Sequence, residues 1–70
     1  MKRFYVANSD GLPLHEQPEN GYTYLQSICR VQREIDRCVN LFGGKCNDYK
    51  ELFMILDDNF LEVKEASLAF

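Results

Sequence analysis

One stretch of the chain has a periodicity that fits only one conformation. Apolar residues recur at Leu25, Ile28, Ile35, Val39 and Phe42, with Gln32 filling the one gap, so the spacing runs 3, 4, 3, 4, 3. This is one face of an α-helix, and a strand, whose side chains alternate with period two, cannot produce it. The ends are punctuated as well. Thr23-Tyr24-Leu25-Gln26 is a capping box, in which the Thr hydroxyl and the Gln side chain each satisfy an otherwise unpaired amide. Gly43-Gly44 supplies residues that tolerate the left-handed backbone at which helices commonly end. The spacing predicts a helix over 23–42.

A helix with one apolar stripe must bury it, and the flanking segments are built to receive it. Residues 3–7 are rich in β-formers and lead into Asn8-Ser9-Asp10-Gly11, where Asp-Gly is a strong turn dipeptide. Leu12 to Glu16 then alternates apolar and polar, completing a hairpin whose second strand, containing Pro13, belongs at a sheet edge or is irregular. Residues 17–22 have loop composition. Towards the C-terminus, Lys50 to Leu56, the turn Asp57-Asp58-Asn59, and Phe60 to Glu65 read as a second hairpin. The same segment also fits a helix, since Asp48-x-x-Glu51 is a capping box and positions 49, 53, 56, 60 and 63 keep helical spacing. The hairpin is preferred because the two ends echo each other. Phe4-Tyr5-Val6-Ala7, a polar turn and Leu12-x-Leu14 parallel Phe53-Met54-Ile55-Leu56, a polar turn and Leu61-x-Val63. The expected architecture is one α+β domain over 1–70: a small antiparallel sheet of two hairpins (ββαββ) with one amphipathic helix packed on one face. The alternative is a mostly helical chain with an N-terminal hairpin.

Size bounds function. A 70-residue chain buries only about 60% of the surface its unfolded form exposes, which leaves little room for a deep, dry pocket and argues against an enzyme. Three cysteines, Cys29, Cys38 and Cys46, are an odd count with no C-x-x-C pair, and His15 lies far from them in sequence. Zinc needs four N or S ligands held tetrahedrally, so neither metal nor cofactor is expected, and the cysteines read as reduced, mostly buried thiols acting as small hydrophobes. The longest apolar run, Leu52 to Leu56, is five residues, against about 20 for a membrane span. No secretory h-region follows the first residues. A soluble, cytoplasmic protein is expected.

Three constellations could carry function. At 100° per residue, Arg30, Arg33 and Arg37 form a compact basic stripe on the helix side away from Ile28, Ile35 and Val39. Guanidinium forks suit carboxylates or phosphates, although a net charge of −3 argues against nucleic acid. Glu34 and Asp36 lie close enough in sequence to pair with the arginines locally. The second constellation is apolar. If Phe4, Val6, Phe53 and Ile55 face the helix, their neighbours Tyr5, Leu52, Met54 and Leu56, joined by Phe60, face away. An apolar, aromatic sheet face left uncovered marks an interaction site unless Ala66 to Phe70 fold over it. The third, the acidic set Asp48, Glu51, Asp57, Asp58, Glu62 and Glu65, reads as turn chemistry and solubility, the alternative being an acidic recognition surface for a basic groove, with nucleic-acid mimicry as its extreme form.

Leu12-Pro13-Leu14-His15-Glu16-Gln17-Pro18 resembles the L-x-x-x-x-x-P spacing of bacterial SH3 domains, and Val63 to Leu68 resembles their last strand, but the helix at 23–42 and the lack of tryptophan depart from that family. Leu52 to Val63 resembles the terminal hairpin of small acidic phage-encoded accessory proteins, a resemblance that implies binding to a host protein. The expected function is a non-catalytic protein-binding module or inhibitor that occludes a target surface. Its contacts would be Tyr5, Met54, Phe60, Arg30, Arg33 and Arg37, and its partner another protein or a second copy in a homodimer. The alternatives are a nucleic-acid-binding module using the arginine stripe and a structural homo-oligomer. No small-molecule substrate is expected.

Overall fold

The computed structural model describes residues 3–63. Its order is β1 (Tyr5–Asn8), α1 (Tyr24–Phe42), a 3₁₀ segment (Cys46–Leu52) and β2 (Phe53–Leu56). The capping box forms as the sequence requires: Gln26 N–H donates to Thr23 Oγ1 at 3.2 Å, and Thr23 N–H donates to Gln26 Oε1 at 3.0 Å. At the other end Gly43, at φ 79°, donates its N–H to Val39 O at 2.8 Å and stops the helix.

β1 and β2 pair antiparallel, with Tyr5 opposite Leu56, Val6 opposite Ile55, Ala7 opposite Met54 and Asn8 opposite Phe53. The echo between the chain ends is a structural repeat. Leu14 N–H donates to Val6 O at 2.9 Å, and Val63 N–H donates to Ile55 O at 2.8 Å. Asn8 N–H donates to Leu12 O at 3.0 Å, and Asp57 N–H donates to Leu61 O at 2.9 Å. Inside the loops, Asn8 Oδ1 accepts from Asp10 N–H and Leu12 N–H at 2.9 and 3.1 Å, while Asp57 Oδ1 accepts from Asn59 N–H and Leu61 N–H at 2.9 and 3.0 Å. Gly11 and Phe60 hold the corresponding positive φ, 82° and 60°. An approximate two-fold axis therefore passes between Val6 and Ile55.

The expected ββαββ sheet is shortened to two strands. Each returning segment touches the sheet at a single bridge, Ala7 with Pro13 and Leu56 with Glu62. On the β1 side the side-chain amide of Gln17 occupies the outer edge where a longer strand would lie, while Pro13 turns its ring nitrogen away from β1, the bonds beside it running through Leu12 and Leu14. Residues 46–52 form the 3₁₀ segment, so the expected strand start at Lys50 moves to Phe53. Asp48, which in the alternative helical reading would cap a helix, lies within this segment and accepts Lys45 N–H at 2.8 Å. The expected strand residues Lys64 and Glu65, and the tail Ala66 to Phe70, lie outside the described residues.

Val6, Val31, Ile35 and Ile55 form the buried core, with Phe4, Leu14, Tyr22, Tyr24, Ile28, Phe53 and Val63 packed around it. Burying a Val or Ile side chain completely contributes about 1.5–3 kcal/mol, so these four residues are the main source of stability. The helix turns a slightly different face inward than its heptad-like spacing selects. Val31 is fully buried, while Leu25 and Phe42 are 74% and 77% exposed. Tyr24 takes the inward place beside Leu25 and packs edge-to-face on Phe4, with ring centroids 5.3 Å apart.

Candidate functional site

Strand alternation divides the sheet residues into two sets. Phe4, Val6, Phe53 and Ile55 pack into the core beneath α1, as expected. Tyr5, Ala7, Met54 and Leu56 fall on the outer face. Ala7 and Leu56 are buried there, which removes Leu56 from the expected contact set, while Tyr5 and Met54 remain half-buried. Leu52, expected beside them in a strand, ends the 3₁₀ segment and is exposed.

Phe60 joins this face through its loop. The Asp57 carboxylate fixes the turn, and Phe60 N–H donates to Asp57 O at 3.0 Å. The resulting positive φ costs a residue with a Cβ about 1 kcal/mol or more. The Phe60 ring stacks on Tyr5 with centroids 5.1 Å apart and planes 22° apart, and such contacts contribute about 0.5–1.5 kcal/mol beyond area burial. Tyr5 is itself held, its hydroxyl donating to Glu19 O at 3.3 Å. Phe60 remains 57% exposed, with Leu61 beside it in sequence also exposed. The structure thus brings Tyr5 and Phe60 together at one end of the outer face and places Met54 towards the other. Chemically, the face offers apolar contact area with a stacked aromatic pair.

The three arginines share one helix flank, Arg30 lining one open groove with Arg37 and another with Arg33, but they are not equally available. Arg30 is buried, contrary to its expected place on a solvent-facing surface. Its Nε donates to Glu34 Oε1 at 2.9 Å, Nη1 to Glu16 O at 2.9 Å and Tyr22 Oη at 3.2 Å, and Nη2 to His15 O at 3.0 Å. The loop after Pro13 folds over this helix flank and is clamped by the guanidinium, which no partner can use without opening the loop. Burial acts to lower the Arg30 pKa, but hydrogen bonds to Tyr22 and Glu34, with the Glu34 charge, outweigh it and hold the group above its ordinary value. Arg37 is exposed and lies 3.9 Å from Glu34. Arg33 lines an open groove with Ile28, Cys29, Gln32 and Asp36 and a second one with Tyr22, Leu25 and Arg30. Both remaining arginines sit on the helix layer, opposite the outer sheet face.

His15 is exposed, and its role in the structure is its backbone carbonyl. The three cysteines are free thiols, but none is buried as expected: Cys29, on the solvent side of the helix, is exposed, and Cys38 and Cys46 are half-buried. Among the described residues, no group of His, Cys, Asp and Glu is arranged to hold a metal ion. None of their helices is long and apolar enough to cross a membrane. Sequence reasoning missed two residues that shape the site. Gln17 carried no signal beyond loop composition. The positive φ of Phe60 could have been read from the echo itself, since Phe60 stands where the first loop has glycine. No protein-family model matches the chain, and no curated protein and no solved structure matches it either.

Proposed function

We propose that this chain is a small non-catalytic protein-binding module that covers a surface of its target, in the manner of an inhibitor, in a reducing cytoplasm. The observation that carries this reading is the outer sheet face, where the Tyr5–Phe60 stack and Met54 lie on the side away from the helix. A solvated sheet face ordinarily carries polar side chains, and aromatic anchors of this kind dominate binding energies at protein interfaces. The free thiols fit a reducing compartment. The resemblance of residues 52–63 to phage accessory hairpins supports the same reading. Arg33 and Arg37 belong to the opposite layer and are not part of the proposed contact.

The test is capture by the tagged full chain from a lysate of the source cell or its host, with nuclease treatment in parallel and Phe60→Gly as the comparison. Glycine occupies the corresponding position of the first loop at φ 82°. Relief of backbone strain therefore offsets the lost stack, and stability should stay within about 1 kcal/mol of the parent. A stoichiometric protein that survives nuclease and is lost with Phe60→Gly is the expected result. Capture unaffected by Phe60→Gly and by Tyr5→Ala overturns the reading. Material that disappears with nuclease shifts it to Arg33 and Arg37, and a stable dimer by light scattering with no other protein captured shifts it to self-assembly.

A further inference from the structure

The apolar pattern of α1 is wider than the core it serves. Leu25, Gln32 and Val39 recur every seven residues and form one line along the helix. The core draws on Ile28, Val31 and Ile35 instead, and leaves Leu25 exposed and Gln32 and Val39 half-buried. An open groove runs beside this line, bordered by Ile28, Cys29, Gln32, Arg33 and Asp36. Arg33 and Asp36 are both exposed and three residues apart, yet they do not pair. Asp36 Oδ1 accepts instead from Gln32 Nε2 at 3.1 Å. Among the described residues neither belongs to an ion pair, whereas Arg30 and Arg37 both engage Glu34. The face therefore holds one positive and one negative charge, each uncompensated by the fold.

We propose that this face binds a second copy of the chain, helix against helix and antiparallel, about a two-fold axis at Gln32. The proposal is independent of the outer sheet face, which lies on the opposite layer. An antiparallel pair centred on Gln32 sets Leu25 against Val39 of the second copy, and the axis repeats that contact at the other end. Helix side chains tilt towards the N-terminus. Arg33 and the second copy's Asp36 therefore lean towards each other, while the two Arg33 groups near the axis lean apart. A parallel pair would set Arg33 against Arg33 and Asp36 against Asp36, so charge selects the antiparallel arrangement. It also selects a second copy as the occupant, because the face supplies its own complement of charge when turned about the axis. At the axis, Gln32 retains a carbonyl and a second N–H for a reciprocal bond with the second Gln32. A single polar residue in an apolar line is a known means of fixing the register of paired helices. The pairing leaves both outer sheet faces uncovered, so the dimer offers a target two contacts.

The experiment is sedimentation equilibrium of the full chain. One helix face falls below the roughly 1,200 Å² of lasting interfaces, so the series runs from ~10 μM to ~1 mM. A reversible monomer–dimer equilibrium is expected. Arg33→Asp should weaken it about ten-fold, and the exchange Arg33→Asp with Asp36→Arg should return it to within about three-fold of the parent. Both positions are exposed, and circular dichroism confirms that the variants fold. Register is read by cross-linking in a Cys29→Ser background: Gln32→Cys should give a disulfide-linked dimer on mild oxidation, and Leu25→Cys should not. A monomer throughout the series overturns the proposal, as does a dimer indifferent to Arg33→Asp or a cross-link through Leu25→Cys. A dimer lost in Tyr5→Ala and Phe60→Gly but kept in Arg33→Asp assigns self-association to the outer sheet face and overturns it too. Target capture by a monomeric Arg33→Asp variant leaves the protein-binding reading standing, and loss of capture in Phe60→Gly with the dimer intact separates the two surfaces.

Discussion

Two polar side chains do structural work that their sequence context hides. Val6 is fully buried, yet its N–H donates to Gln17 Oε1 at 2.7 Å, and its carbonyl accepts from Gln17 Nε2 at 2.8 Å. The same Nε2 reaches Leu14 O at 2.7 Å. One side-chain amide therefore stands in for the peptide group of a neighbouring strand and closes the edge of β1. A Gln between His-Glu and Pro-Glu reads only as loop, because nothing local shows which backbone group it will meet. Arg30 was illegible for the same reason: helical angles placed it away from the apolar stripe, but not under the loop that returns across it. Gln17→Glu tests the amide directly. The carboxylate would face the Val6 and Leu14 carbonyls with no proton to donate, and two lost bonds in a buried setting should cost about 2–3 kcal/mol at pH 7. Those carbonyls favour the protonated acid, so the folded-state pKa of the introduced carboxyl is raised above its unfolded value of about 4.3. The contribution of the protonated form is then fully present below the unfolded pKa and is lost as pH rises through the folded one. Urea melts at pH 7 and pH 4 should show the gap to the parent narrowing at the lower pH. An equal gap at both would mean the amide protons are not what holds the edge.

At the scale of elements, the helix was legible in its limits and slightly wrong in its phase. Thr23, Gln26 and the glycine pair set the ends through local hydrogen bonds, which depend on neighbours in sequence. The buried face depends on what lies across from it. The stripe through Leu25, Ile28 and Ile35 and the stripe through Tyr24, Ile28, Val31 and Ile35 share two members, and the contact of Tyr24 with Phe4 decides between them. The hairpin turns were legible because Asn8-Ser9-Asp10-Gly11 and Asp57-Asp58-Asn59 encode their own side-chain-to-backbone bonds. The lengths of the returning strands were not, because they depend on long-range competition for the sheet edge. Paired truncations separate the two stripes. Ile35→Ala should cost about 2–5 kcal/mol as a core cavity, and Leu25→Ala should stay within about 0.5 kcal/mol as a surface change. Thermal melts of both variants suffice, since 1 kcal/mol moves Tm by about 4–8 °C in a domain of this size. Comparable losses at the two positions would contradict the observed phase.

At the scale of the whole molecule, a single helix covers two strand–loop units whose backbones are nearly symmetric about the Val6–Ile55 pair, and the asymmetry between those units lies in their side chains. A symmetric frame needs only one solution for its turns, and both loops use it: an Asn or Asp whose side chain accepts two N–H groups, followed three residues later by a positive φ. If folding requires the frame and binding requires the decoration, the two can be separated by exchanging loops. The combined variant Asp57→Asn, Asp58→Ser, Asn59→Asp and Phe60→Gly writes the first loop into the place of the second. The introduced amide can accept the same two N–H bonds that the Asp57 carboxylate accepts. Glycine adopts the positive φ without the strain of Phe60, about 1 kcal/mol, while the Tyr5 stack, about 0.5–1.5 kcal/mol, is lost. These terms nearly cancel, so the variant should unfold within about 1 kcal/mol of the parent. Total stability for a chain of this length is only about 3.5–10 kcal/mol, so a failed exchange would be conspicuous. Partner capture, in contrast, should be abolished, because the aromatic platform has gone. A loss above about 2 kcal/mol, beyond what the stack accounts for, would show that the two loops are not interchangeable. Retained capture by a folded variant would show that the outer face binds without its aromatic pair.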